Sequence, residues 1–292
     1  MTNNKKKWIL LLILSVIWGS SFILIKKSLV GLTPLQVGSL RIIFTAIVIS
    51  IYSYSSLKEI PKECWKWIIL TAYVGTFFPV YLVSFGQTEI ESGLASIITT
   101  LTPINTLIIG IIFFSLTFTI KQVVGLVIAF FGGILLLYNG GILPDYNVYF
   151  SIFIFFTTVG YGASVNLIKT YLTEISPSAV TAGIFLSILP PAVFILFYSD
   201  FFVLKFDQSN IYESIIFVFL LALFSSAIAQ TLFNRFVKLA SPLFASAVTY
   251  LMPIVAIFWG VIDGEVLSLK QYVATVIILS GVYLVNNKQK TN

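Results

Sequence analysis

Trp18-Gly19-Ser20-Ser21-Phe22-Ile23-Leu24-Ile25-Lys26 returns, altered but recognisable, as Tyr161-Gly162-Ala163-Ser164-Val165-Asn166-Leu167-Ile168-Lys169, 143 positions later. The same offset carries Pro34 onto Pro177. Further along, Ala95-Ser96-Ile97-Ile98-Thr99-Thr100-Leu101-Thr102-Pro103 matches Ala245-Ser246-Ala247-Val248-Thr249-Tyr250-Leu251-Met252-Pro253 at an offset of 150, and Lys121-Gln122 matches Lys270-Gln271 at 149. One unit is written twice. If that unit holds an odd number of membrane spans, its second copy must insert upside down relative to the first. Inverted repeats of this kind are a common architecture of alternating access.

The composition around these motifs is that of a polytopic membrane protein. The chain is 58% hydrophobic and 10% charged, with a mean hydropathy of +1.02, far from an ordinary soluble domain. It contains no histidine, which removes imidazole acid–base chemistry and imidazole metal ligation. Its one cysteine, Cys64, stands beside Lys62 and Glu63 in a charged loop, so neither an intramolecular disulfide nor a paired-cysteine metal site can form. No cofactor is expected. Lys5-Lys6-Lys7 followed by an apolar run has the outline of a secretory leader. The run continues to Ile25, however, and its counterpart at Tyr161 to Lys169 is internal. The first segment is expected to stay as a helix.

A helix needs about 20 apolar residues to cross the hydrocarbon layer. Runs between turn signals predict ten spans, at 8–25, 34–55, 66–86, 93–115, 121–138, 148–168, 177–198, 213–234, 243–262 and 270–286. Pro34 and Pro177 each fall in the first turn of a helix, where the missing N–H costs nothing. Residues 8–138 and 148–286 form the two copies. With the N-terminus inside, the inner segments hold Lys5, Lys6, Lys7, Lys58, Lys62, Lys66, Lys121, Lys169, Arg235, Lys238, Lys288 and Lys290, against Lys26, Lys27, Lys205 and Lys270 outside. Twelve against four predicts cytoplasmic N- and C-termini. The net charge of +6 is thereby accounted for as topology, with no nucleic-acid partner.

This pattern resembles the drug/metabolite transporter superfamily, specifically ten-helix proteins with two EamA domains. The likeness rests on Trp18-Gly19-Ser20-Ser21-Phe22, Pro34 with Leu40-Arg41-Ile42, Thr99 to Pro103, Thr249 to Pro253, and Gly132-Gly133. It spans about residues 8–286. It implies an all-α integral membrane protein of two inverted five-helix repeats that moves small molecules across the bacterial inner membrane, commonly outward. It leaves the substrate unnamed, since relatives handle amino acids, other metabolites or toxic compounds.

Polar groups inside a span are costly unless they face protein or a water-filled path. Superposing the copies selects them in pairs. Ser15 and Trp18 share a face of the first span, and their mates are Thr158 and Tyr161. Ser96, Thr99, Thr100 and Pro103 follow helical spacing along the fourth span, as Ser246, Thr249, Tyr250 and Pro253 do in the ninth. Tyr81 and Ser84 map onto Thr231 and Asn234, with Gln230 adjacent, and Asn166 adds an amide to the sixth span alone. The expected substrate-binding set is Trp18, Tyr81, Thr99, Thr100, Tyr161, Asn166, Gln230, Asn234, Thr249 and Tyr250. The structural alternative is plain: serines and threonines bond back to their own helices, aromatics sit in interfacial belts, and amides tie helices together. Arg41 is the lone charge well inside a span. It is expected to snorkel outward, to pair with Glu89 or Glu91, or to hold a substrate carboxylate. Gly125, Ala129 and Gly133 form a small-residue ladder expected to pack near Gly281.

What the spans lack also narrows the reading. No aspartate or glutamate falls mid-span, which disfavours proton-coupled drug export through an embedded glutamate. One arginine is too little for a phosphorylated solute. The expectation is a secondary carrier for small neutral or zwitterionic metabolites, amino acids and related compounds first, with a carrier for hydrophobic drugs as the alternative. An intramembrane enzyme would need a polar catalytic cluster, and a non-transporting scaffold would not need polar stripes matched between the halves. Besides its solute and the lipid bilayer the chain requires no partner, and monomer and homodimer both remain open.

Overall fold

The computed structural model describes residues 3–137, 148–204, 209–262 and 269–286. Every regular element in it is helical. The first half comprises α1 (Asn3–Ser28), α2 (Pro34–Ser53), α3 (Trp65–Ala72) continued through a π-helical stretch (Tyr73–Phe77) into α4 (Phe78–Glu89), α5 (Ser92–Thr99), α6 (Thr102–Phe114) and α7 (Ile120–Leu137). The second comprises α8 (Val148–Tyr171), α9 (Pro177–Phe197), α10 (Ser209–Leu220) continued through a second π-helical stretch (Leu221–Ile228) into α11 (Ala229–Leu239), α12 (Pro242–Ser246), α13 (Val248–Ile262) and α14 (Leu269–Asn286). Seven of the continuous helical segments are long and apolar enough to cross a membrane. Three shorter apolar helices, Ile120–Leu135, Pro242–Val255 and Val273–Val285, accompany them. The chain is a multi-pass membrane protein.

Helix starts follow local chemistry. Thr33 and Gln36 form a reciprocal capping box at α2, with Pro34 behind the cap, and Ser176 caps α9 ahead of Pro177 by accepting from the Ala179 N–H. Ser241 does the same for α12 ahead of Pro242. In each case the cap satisfies a backbone donor that hydrocarbon would otherwise strand. The third and eighth predicted spans run longer than expected, over 62–89 and 209–239, extending past both predicted ends, and each contains a π-helical stretch that hydropathy does not register.

Packing is paired between the halves. α7 lies along α14, and α2 lies along α9. α1 packs on α13 and α11, while α8 packs on α6 and α4, the corresponding elements of the other copy. The seam between α7 and α14 is built from small residues: a Cβ on Gly281 would come within 2.6 Å of the Gly125 carbonyl oxygen and the Ala129 nitrogen. Gly133 does not belong to that seam. It faces Thr100, with 3.5 Å to spare for a methyl group, while Gly132 meets Ile278. Without a hydrophobic drive between helices in lipid, such close backbone approach is what holds them together.

Gly281→Leu should therefore force α14 off α7 and lower the thermal unfolding midpoint of the purified protein, at a cost of about 1–3 kcal/mol typical of overpacking. Gly133→Ala, entering ordinary van der Waals space, should leave the midpoint close to wild type.

Candidate functional site

Four interruptions of the α-helical ladder surround one point in the molecule. The π-helical stretches at Tyr73–Phe77 and Leu221–Ile228 are two. The others are the break between α5 and α6 at Thr100 and Leu101, and the break between α12 and α13 at Ala247. Thr99 and Thr100 turn their hydroxyls onto the carbonyls of Ser96 and Ile97, and Pro103 supplies no N–H to continue the ladder. The predicted continuous polar face from Ser96 to Pro103 is accordingly split in two. In the other half the break falls earlier, at Ala247, and Pro253 lies inside α13.

At that point sits a cavity of about 100 Å³, where a single water needs only about 10–15 Å³. It is large enough for several waters or the polar part of a small solute. Its lining is matched between the halves. At the 143 offset come Trp18 with Tyr161, Ser21 with Ser164, and Phe22 with Val165. At the 150 offset come Gly75 with Ser225, Thr76 with Ser226, Val80 with Gln230, Val83 with Phe233, Thr99 with Thr249, and Thr102 with Met252.

Glycines bring the aromatic pair to the centre. A Cβ on Gly19, next to Trp18, would lie 3.0 Å from the Met252 carbonyl oxygen of α13. One on Gly162, next to Tyr161, would lie 2.8 Å from the Thr106 nitrogen of α6. Each glycine lets its helix close on the broken rod of the opposite copy, and its neighbour's ring then projects into the cavity.

The polar network belongs to one side. Trp18 Nε1 donates to the Ser225 carbonyl at 2.9 Å, and Ser21 Oγ donates to Ser225 Oγ at 3.1 Å. Arg41 Nε donates to Ser226 Oγ at 2.8 Å and Nη2 to Ser225 Oγ at 3.1 Å. Ser225 and Ser226 lie in the π-helical stretch, whose wider turn frees a carbonyl and directs both hydroxyls at α2. Arg41 is 8% exposed and lines the cavity. It thus points inward and bonds to serines; the snorkelling and the pairing with Glu89 or Glu91 are not seen, and both glutamates are exposed. On the opposite side, Ile184 stands at the 143 offset from Arg41, and Gly75 stands against Ser164 where Ser225 meets Ser21.

Of the expected set, the structure brings Trp18, Thr99, Tyr161, Gln230 and Thr249 together around the cavity, with Arg41. It places the other five elsewhere. Tyr81 shares a 2.9 Å hydrogen bond with Ser39, and Thr100 bonds back to Ile97. Asn166 donates to the carbonyls of Thr106 and Gly162, Asn234 donates to Thr181 Oγ1, and Tyr250 donates to the Leu126 carbonyl. These five tie neighbouring helices or their own turns. Sequence reasoning passed over Ser21, Ser164, Ser225 and Ser226. The first two were within reach, being mates inside the repeated motif.

This arrangement is a small chamber, polar on the side of Arg41 and its serines, at the meeting point of broken helices and between two matched halves. Family comparison agrees with the architecture. The EamA-like transporter family model matches residues 6–138 and again 149–287, and the chain belongs to that family. An uncharacterized transporter of Archaeoglobus fulgidus is 27% identical over 97% of this chain and 100% of its own length. The uncharacterized inner membrane transporter YedA of Escherichia coli is 25% identical over 93% of this chain and 88% of its own. A solved crystal structure shares the fold at a TM-score of 0.72 and 15% identity, covering 96% of both chains.

A Cβ on Gly75 would overlap the Ser164 side chain. Gly75→Ala should lower the unfolding midpoint, by about 1–3 kcal/mol, and Ser164→Gly in the same molecule should restore most of it. Failure of that rescue in a thermal melt would separate the two residues.

Proposed function

We propose that this EamA-family transporter is a secondary carrier of ten membrane spans in two inverted five-helix repeats, working by alternating access. It sits in the inner (plasma) membrane with both termini inside and exports small metabolites of the amino-acid class. The observation that carries the reading is the chamber itself, lined by residues matched across the two copies and flanked by broken helices. Helix interruptions in membrane proteins are tolerated where they border protein or a water-filled cavity.

Two further contacts support alternating access. Lys26 Nζ donates to the Gln87 carbonyl at 3.3 Å. Lys169 Nζ donates to the carbonyls of Val237 and Lys238 at 3.1 and 3.0 Å. Lys169 is the 143-offset mate of Lys26, and Val237 the 150-offset mate of Gln87. Each lysine neutralises the carbonyl end of a helix. Each also lies eight residues beyond its cavity aromatic, Trp18 or Tyr161, about 12 Å along the helix. In an inverted pair these clasps fall at opposite membrane faces, where one can open while the other stays shut.

Counterflow in proteoliposomes loaded with mixed amino acids should give saturable exchange. Trp18→Ala and Tyr161→Ala should reduce it at least about tenfold while leaving the protein folded. Absence of exchange with every amino acid would remove that class, and undiminished exchange in both variants would remove the chamber as the path.

Orientation has its own probe in Cys64, the chain's single and partly buried cysteine. A membrane-impermeant thiol reagent should leave Cys64 unmodified in intact cells and modify it in inverted vesicles.

A further inference from the structure

We infer that the solute this carrier accepts best is a small monocarboxylate anion with an apolar body, met by Arg41, in preference to a zwitterion or a cation of the same shape. The inference rests on the carrier part of the reading above and departs from its solute class: among solutes of amino-acid-like shape it ranks the monocarboxylate ahead of the zwitterionic amino acid itself.

Arg41 presents one full positive charge to a chamber with no acidic residue among its described lining. Its bonds to Ser225 and Ser226 satisfy Nε and one hydrogen of Nη2. Those partners are neutral hydroxyls, which orient a guanidinium without cancelling its charge. Nη1 makes no hydrogen bond among the described residues and is not sealed from the chamber. One edge of the planar fork is held, and the neighbouring edge faces the solute space. A carboxylate matches that edge with two parallel N–H···O bonds. Tyr161 Oη, close enough to interact electrostatically with Arg41, likewise makes no hydrogen bond among the described residues. It can donate to the same carboxylate.

The rest of the chamber defines the remainder of the molecule. Phe22, Phe185, Phe233 and Val83 contribute apolar surface, and the remaining polar lining, the hydroxyls of Thr76, Thr102, Ser164 and Thr249 with the Gln230 amide, is uncharged, so no group there balances an ammonium; the Trp18 indole N–H is already given to Ser225. Charge then decides among solutes of one shape. In a closed chamber a monocarboxylate brings the net charge with Arg41 to zero, a zwitterion leaves one positive charge uncompensated, and a cation leaves two. Uncompensated buried charge is the largest of these costs. Dianions and phosphates would in turn exceed the single arginine.

A series with one isobutyl body isolates the charge: isocaproate is an anion, leucine a zwitterion and isoamylamine a cation. Thermal unfolding of the purified full-length protein reads binding to the folded state. Isocaproate should raise the midpoint at concentrations about tenfold or more below those at which leucine does, and isoamylamine should give no rise. Arg41→Gln should abolish the isocaproate advantage. Arg41→Lys, which keeps the charge and loses the fork, should retain part of it. Should neither variant fold, the wild-type series alone decides.

Equal or better stabilisation by leucine would overturn the proposal. So would no stabilisation by isocaproate at high millimolar concentration, or an equal rise with chloride, which would make Arg41 a structural anion site. Amino-acid counterflow alongside any of these results would leave the carrier reading standing while this one falls.

Discussion

Everything here depends on the absence of water in hydrocarbon: a backbone N–H or C=O that leaves its helix ladder must find another partner inside the protein. Among the described residues four breaks in the α-helical pattern border the chamber, while Pro190 and Pro191 interrupt α9 elsewhere. At three of the four a nearby side chain covers a carbonyl. The Ser225 carbonyl receives the Trp18 indole, and the hydroxyls of Thr99 and Thr249 cover the carbonyls of Ser96 and Ser246. Away from the chamber the polar side chains fasten helices instead, as Tyr250 does on Leu126 and Asn166 on Thr106.

Duplication supplies the geometry, and divergence between the copies supplies the chemistry. The matched lining pairs differ most around Arg41. Gly75 corresponds to Ser225, Val80 to Gln230 and Ile184 to Arg41 itself, while Thr76 and Ser226 are both hydroxyls and Thr102 corresponds to Met252. One wall therefore carries a charge held by two hydroxyls, and the other carries uncharged groups, Tyr161 and Ser164 among them. Gly75 is small for a reason: it rests against Ser164, the mate of the serine that bonds Ser225. A symmetric backbone thereby encloses a dipolar chamber, which can orient a solute with one polar and one apolar end.

The all-helical, multi-pass character was legible because hydropathy and the Ser/Thr-Pro helix starts act over short stretches of chain, and seven of the helical segments are long and apolar enough to span. The close seam of Gly125 and Ala129 with Gly281 was legible for the same reason, since small side chains four apart advertise a packed face. Residues 138 and 263–268, where a predicted span end and the acids Asp263 and Glu265 fall, lie outside the described residues. The site was only half legible. A hydroxyl or amide in a span gives the same sequence signal whether it faces a chamber or a neighbouring helix, so Thr249 and Tyr250 were indistinguishable though one lines the chamber and the other is fully buried. The π-helical stretches left no mark either, because Tyr73–Phe77 and Leu221–Ile228 keep the apolar composition of an α-helix. One inserted residue without a full α-turn shifts the facing of everything after it by about 100°. Ser225 and Ser226 reach Arg41 by that shift, which periodicity alone does not foresee.

The proposed alternating-access cycle would also require two conformations of nearly equal free energy, since a large gap would trap the protein on one side. Duplication offers that balance without fine adjustment. Whatever contacts close one face are repeated in kind at the other, as the Lys26 and Lys169 clasps illustrate. Coupling between solute and conformation needs no separate device: Arg41 on α2 and its two serines on the opposite copy already span the boundary along which the halves would move.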